Sequence, residues 1–133
     1  MTTQSGRPRG LTVLFATVAM SAACLTPAAQ AAPATSYNDC AHGLFCVWSG
    51  DNGTGQRCEW RVDDADWLAG SRTCKWARGT RVQSAYNHGE SGAPVSAYTA
   101  ADYGGTKMFC LTSGRRANLK GVGTYLRSHK WAC

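Results

Sequence analysis

A motif that occurs twice limits what this chain can fold into more than any other feature. Trp48 is followed seven positions later by Gly55, and Tyr98 seven positions later by Gly105. Each pair frames a turn-rich segment, Asp51-Asn52-Gly53-Thr54 in the first copy and Asp102-Tyr103-Gly104 in the second. Each copy closes on a Gly-Thr-x-aliphatic-polar-Ser element, Gly79-Thr80-Arg81-Val82-Gln83-Ser84 and Gly123-Thr124-Tyr125-Leu126-Arg127-Ser128. Duplication at a spacing of about 45 residues means two copies of one supersecondary unit. The physical role of each part follows from its chemistry. An aromatic on a first strand packs over the hairpin that follows, and a glycine at the fold supplies positive φ at low steric cost. A serine on a later strand, Ser84 or Ser128, hydrogen-bonds the backbone groups the hairpin leaves open. The last strand then returns to the first, as in a Greek key.

The N-terminal residues indicate a compartment. Arg7 and Arg9 precede a short apolar stretch from Leu11 to Ala23, and Ala29-Gln30-Ala31 offers small residues for cleavage before Ala32. This is the layout of a secretory signal peptide over residues 1–31, and the apolar run is short for a membrane span. A competing lipoprotein reading uses Ser21-Ala22-Ala23 ahead of Cys24, where a bulky aliphatic residue is expected at the position of Ser21. The mature protein, residues 32–133, is expected to be secreted, extracellular, monomeric and without a membrane partner. Its length suits one small domain.

Beyond Cys24 lie Cys40, Cys46, Cys58, Cys74, Cys110 and Cys133. An even set in a small exported chain reads as a disulfide framework rather than a metal site or a catalytic thiol. Many connectivities remain open. Cys40 and Cys46 are near enough to close a local loop; if each repeat closes on itself, Cys58 pairs with Cys74 and Cys110 with Cys133.

The formal net charge is +6, two of the positive charges being Arg7 and Arg9. The remaining cations are scattered, with no dense run of the kind that tracks nucleic acid. After Pro33 no segment has helical periodicity. Leu44 to Ser49 alternates, with Phe45 and Val47 opposite Cys46 and Trp48. Cys58, Trp60 and Val62 share one face of a second strand, Val82, Ser84 and Tyr86 one face of a third, and Val95 and Ala97 open the next set. Period two with glycine-rich breaks predicts an all-β antiparallel sandwich or barrel. One helical turn fits Asp63–Gly70, with Asn118-Leu119 in the comparable place of the second copy. His88 to Pro94 reads as the connector, so the copies occupy about residues 40–90 and 94–133.

Tyr98 with Tyr103, Gly105 and Ser128 resembles the βγ-crystallin Greek-key signature. Trp48 with Gly55 and Ser84 is a degraded copy, with Gly53 where an aromatic is expected. Together with the exported context and Cys40-Ala41-His42-Gly43-Leu44-Phe45-Cys46-Val47-Trp48, the mature chain resembles the secreted actinobacterial peptidase inhibitors of the streptomycete metalloproteinase-inhibitor type. The resemblance implies a βγ-crystallin-like sandwich of two Greek keys. It also implies an extracellular metalloprotease as partner, blocked by a rigid, exposed loop. The counterpart of that family's reactive segment is Ala100-Ala101-Asp102-Tyr103-Gly104-Gly105, which no cysteine pair brackets. Microbial βγ-crystallins bind calcium through Asn/Asp pairs ahead of a Ser/Thr-Ser pair. The matching positions here are Gly79, Thr80, Gln83 and Ser84, then Gly123, Thr124, Arg127 and Ser128, and they lack the carboxylates calcium favours. No metal or cofactor is expected; Asp63, Asp64 and Asp66 form a fallback cluster.

An enzyme is the least supported class. His42, His88 and His129 lack metal-ligand spacing, and no hydrolase, metalloprotease or phosphate-loop motif is present. Asn52-Gly53-Thr54 formally matches a glycosylation acceptor, but Asn-Gly is turn chemistry. The alternative to inhibition is a cell-wall-binding or antimicrobial module. It draws on the basic charge and on the tryptophans 48, 60, 67, 76 and 131, of which Trp76 is the candidate for exposure.

Overall fold

The computed structural model describes Gly10, residues 36–120 and residues 123–133. The chain divides into two units, Met1–Ala31 and Ala32–Cys133, and the architecture below is that of the second. The expected signal segment, its cleavage point and the Cys24 alternative lie outside the described residues.

The strands are β1 (Leu44–Trp48), β2 (Arg57–Trp60), β3 (Ser84–His88), β4 (Val95–Tyr98), β5 (Lys107–Leu111), β6 (Arg116–Asn118) and β7 (Ser128–Lys130). They form two antiparallel sheets, ordered β2-β1-β3-β6 and β5-β4-β7. In each copy the closing strand returns beside the opening one: β3 pairs with β1 and β7 with β4. That return is the Greek-key connection. The copies also exchange chain. β6 of the second copy pairs with β3, Ser84 opposite Asn118. Asp64 of the first copy bridges His129 of β7, and Val82 bridges Thr124. The result is the all-β, disulfide-stapled sandwich that the sequence led one to expect.

The main core draws on both sheets, with Phe45, Val47, Trp60 and Ala85 from one, Val95, Ala97 and Leu111 from the other, and Trp67, Val82 and Leu126 from connecting segments. A second cluster of Cys40, Cys46, Trp48 and Tyr86, with Tyr37 and Leu44 against it, lies on the outer face of β1. The arm ahead of β1 covers that face, so both parities of β1 are apolar. Disulfides join Cys40 to Cys46, Cys58 to Cys74 and Cys110 to Cys133.

Three local expectations need correction. β2 ends at Trp60, and Val62 is 69% exposed instead of sharing the face of Trp60. Val82 precedes β3 and joins the main core, whereas Tyr86 belongs to the outer cluster, so the two do not share a face. No α-helical turn forms at Asp63–Gly70, only an i→i+3 turn from the Ala69 N–H to the Asp66 carbonyl at 3.0 Å; the carboxylates of Asp64 and Asp66 accept the N–H groups of Asp66 and Leu68 at 2.9 and 3.0 Å. Such side-chain bonds compete with helix formation. A 3-10 turn occurs instead at Lys75–Arg78, and Asn118 is a strand residue.

Candidate functional site

The two hairpins are built alike, atom for atom. Ser84 Oγ accepts from the Gly53 N–H at 3.0 Å and donates to the Gly50 carbonyl at 2.7 Å. Ser128 Oγ accepts from the Tyr103 N–H at 3.1 Å and donates to the Ala100 carbonyl at 2.7 Å. Asn52 and Asp102 both take φ of 56°, a left-handed conformation that Asn and Asp tolerate better than most residues. Asp102 N–H donates to the Ala65 carbonyl at 2.7 Å, fastening the second hairpin to the first copy. Within Ala100–Gly105 only Asp102 and Gly105 are exposed; Ala100, Ala101, Tyr103 and Gly104 are half-buried. The segment is hydrogen-bonded at Ala100, Asp102 and Tyr103 and sits close against the body.

The first copy lacks an aromatic at Gly53, and its place is taken by a residue from elsewhere. Tyr37, in the N-terminal arm, meets Trp48 edge-on at 5.3 Å between ring centroids, much as Tyr103 meets Tyr98 at 6.1 Å. A Cβ at Gly53 would collide with the backbone of Tyr37, so the glycine makes room for the arm. Cations face both pairs: Arg116 lies 5.4 Å from the Tyr37 ring, and Lys130 lies 5.8 Å from that of Tyr103. Asn118 ties the arm to the hairpin, accepting from the Tyr37 hydroxyl and the Asn52 N–H, each at 2.8 Å.

His129 is fully buried. Trp67 Nε1 can only donate, so its 2.9 Å bond to His129 Nδ1 makes that nitrogen an acceptor. The proton therefore sits on Nε2, which donates to the Val62 carbonyl at 3.0 Å. Burial lowers the pKa to about 4, keeping the ring neutral. The other histidines lie at the surface end of β3, with His88 Nδ1 2.8 Å from the Cys40 carbonyl and His42 Nδ1 3.4 Å from Glu90.

The fallback acidic cluster is committed to local bonds. Asp63 accepts from the Trp131 N–H at 2.7 Å, Asp64 holds the Asp66 N–H, and Asp66 holds the Leu68 N–H and Arg127 Nη2 at 2.9 Å. The Leu68 N–H and then the Arg127 guanidinium lower the pKa of Asp66, while burial raises that of Asp64. Among the described residues no three His, Cys, Asp or Glu side chains gather as a metal site. At the positions that match the calcium ligands of microbial βγ-crystallins, the backbone N–H groups of Gln83 and Arg127 donate to the carbonyls of Trp48 and Tyr98, each at 2.9 Å.

Trp48, Trp60 and Trp67 are buried, and Trp76 and Trp131 pack half-buried on the main core. Trp76 covers a core edge; among the described residues the exposed large apolar ones are Val62, Met108 and Tyr125. The feature sequence reasoning passed over is the segment Ala69-Gly70-Ser71-Arg72-Thr73, exposed throughout. Its signal was small, polar residues running between Trp67 and Cys74, both fully buried.

A search of curated proteins finds no match to the chain. Residues 33–110, from the arm that supplies Tyr37 to the cysteine in β5, match the family model described as peptidase inhibitor family I36. That span covers more than half of the sequence and contains both hairpins, and the chain belongs to peptidase inhibitor family I36.

Proposed function

We propose that the mature protein is secreted and inhibits an extracellular metalloprotease by filling its active-site cleft with a rigid loop. Membership of a peptidase inhibitor family carries the inhibitor role. The metalloprotease target draws on the likeness of the Cys40-to-Trp48 segment and the repeated hairpin to the streptomycete inhibitors. Loop rigidity is supported by the geometry. Each hairpin has its backbone fixed by a buried serine, and one edge strand of each sheet, β2 and β5, is stapled by a disulfide. A loop already ordered before binding avoids the entropy cost of immobilising it in the complex.

The test is a titration of the mature protein against thermolysin-type, subtilisin-type, papain-type and trypsin-type enzymes. Inhibition at or below micromolar concentration, strongest with the thermolysin type, is the expected result. Inactivity against all of them, with retention on cell-wall polysaccharide, would replace the reading with the wall-binding alternative. The tryptophans give that alternative little support, since none is exposed among the described residues.

A further inference from the structure

We infer that the segment entering the protease cleft is the loop Ala69–Thr73, with Arg72 as its specificity-determining residue. This rests on the inhibitor reading above but on neither the class of protease nor the hairpin Ala100–Gly105. The loop is the longest unbroken run of exposed residues among those described. Its two feet are among the best-anchored points of the molecule. Trp67 is fully buried, stacks on Trp60 at 4.5 Å, donates its indole N–H to His129 and its backbone N–H to the Arg127 carbonyl at 2.8 Å. Cys74 is fully buried, is bonded to Cys58 of β2 and closes the loop through its N–H to the Trp67 carbonyl at 2.6 Å. The Ala69 N–H makes the last internal bond, to the Asp66 carbonyl at 3.0 Å. Beyond it, Gly70, Ser71 and Thr73 make no hydrogen bond to any described residue. Gly70 has φ of +81°, and a Cβ there would face open space.

Free backbone donors and acceptors on a tip with fixed feet are what an extended partner strand requires. The hairpin Ala100–Gly105 is different: its backbone is spent on Ser128 and Ala65. The covalent frame also suits a cleft that hydrolyses peptides. Were water to add across any amide bond between Cys58 and Cys74, the new carboxyl and amino ends would stay joined through that disulfide.

Arg72 is the long side chain of the tip, 62% exposed, with Nη1 resting 3.2 Å from the Glu59 carbonyl and 3.9 Å from Glu59 Oε1. No acidic residue occurs between Asp66 and Glu90, while Arg72, Lys75, Arg78 and Arg81 are all exposed. The complementary partner is a protease subsite carrying a carboxylate. Such a subsite can flank a metal-activated water as well as a serine nucleophile.

Wild type, Arg72→Ala, Arg72→Lys and Asp102→Asn would be titrated against thermolysin, trypsin, subtilisin and papain, with melting temperatures recorded alongside. For each enzyme that wild type inhibits, Arg72→Ala should raise Ki by at least about tenfold, as for a central interface arginine. Arg72→Lys should retain most of the affinity, and Asp102→Asn should stay within about twofold, as expected outside the contact. Inhibition by wild type with Arg72→Ala unchanged would overturn the loop assignment and leave the inhibitor reading standing. Inhibition of none of the four enzymes would remove that reading, and this inference with it.

Discussion

His129 shows how one side chain can report on the whole interior. Its ring lies against Phe45 and Trp60, each at 4.9 Å, with both nitrogens hydrogen-bonded and neither reaching water. Burial holds the folded-state pKa near 4 against an ordinary 6.5. The unfolded chain therefore takes up a proton that the native state refuses once the pH falls below 6.5. The contribution is fully present above that value and is lost as the pH falls towards 4. Down to pH 5, ahead of the ordinary carboxylate range, the loss amounts to about 2 kcal/mol. Urea unfolding at pH 7, 6 and 5 should show this decline, and His129→Gln should flatten it. Equal stability of the wild type at pH 7 and pH 5 would mean that the ring can be protonated in place.

At the scale of the elements, the hairpin and its serine form the unit that is repeated. Ser128 is fully buried and satisfies two backbone groups of its hairpin, whereas half-buried Ser113 makes one bond, of 3.3 Å, to the Gly89 carbonyl. Replacing Ser128 by alanine leaves the Tyr103 N–H and the Ala100 carbonyl unpaired, at a cost of about 1–3 kcal/mol. Ser113→Ala should cost less, and thermal melts of the two variants would compare them directly. A larger drop for Ser113→Ala would remove the serine from its fastening role. The serines were legible because a hydroxyl recurring at a fixed place after a turn has few other uses. The substitute for the aromatic missing at Gly53 was not legible. Tyr37 lies outside the repeat and reaches its place only by packing on the outer face of β1, a contact that no periodicity announces. The exposed loop escaped for a related reason. Ala69 to Thr73 looks like ordinary linker until Trp67 and Cys74 are seen to be pinned on either side of it.

Across the whole molecule the copies are interlocked, since β6 completes the sheet of the first copy and Asp64 extends that of the second. Such mutual completion should make the two halves unfold together, and two of the three disulfides hold a sheet edge. Cys58 and Cys110 lie on β2 and β5, each one of the two outermost strands of its sheet, and each is bonded to a later segment of the chain. The second staple, closing a loop with a sequence separation of 23, ties β5 to the carboxyl end. The chain-entropy argument assigns it about 3 kcal/mol. Its removal in Cys110→Ser/Cys133→Ser should lower global stability by that order and, in addition, free the β5 edge locally. Amide exchange should then accelerate more at Lys107–Leu111 than at Leu44–Trp48, because β1 is flanked by β2 and β3 and covered on both faces. Equal acceleration in the two strands would show that the staple acts on the unfolded chain alone and that the β5 edge is held by β4 without it.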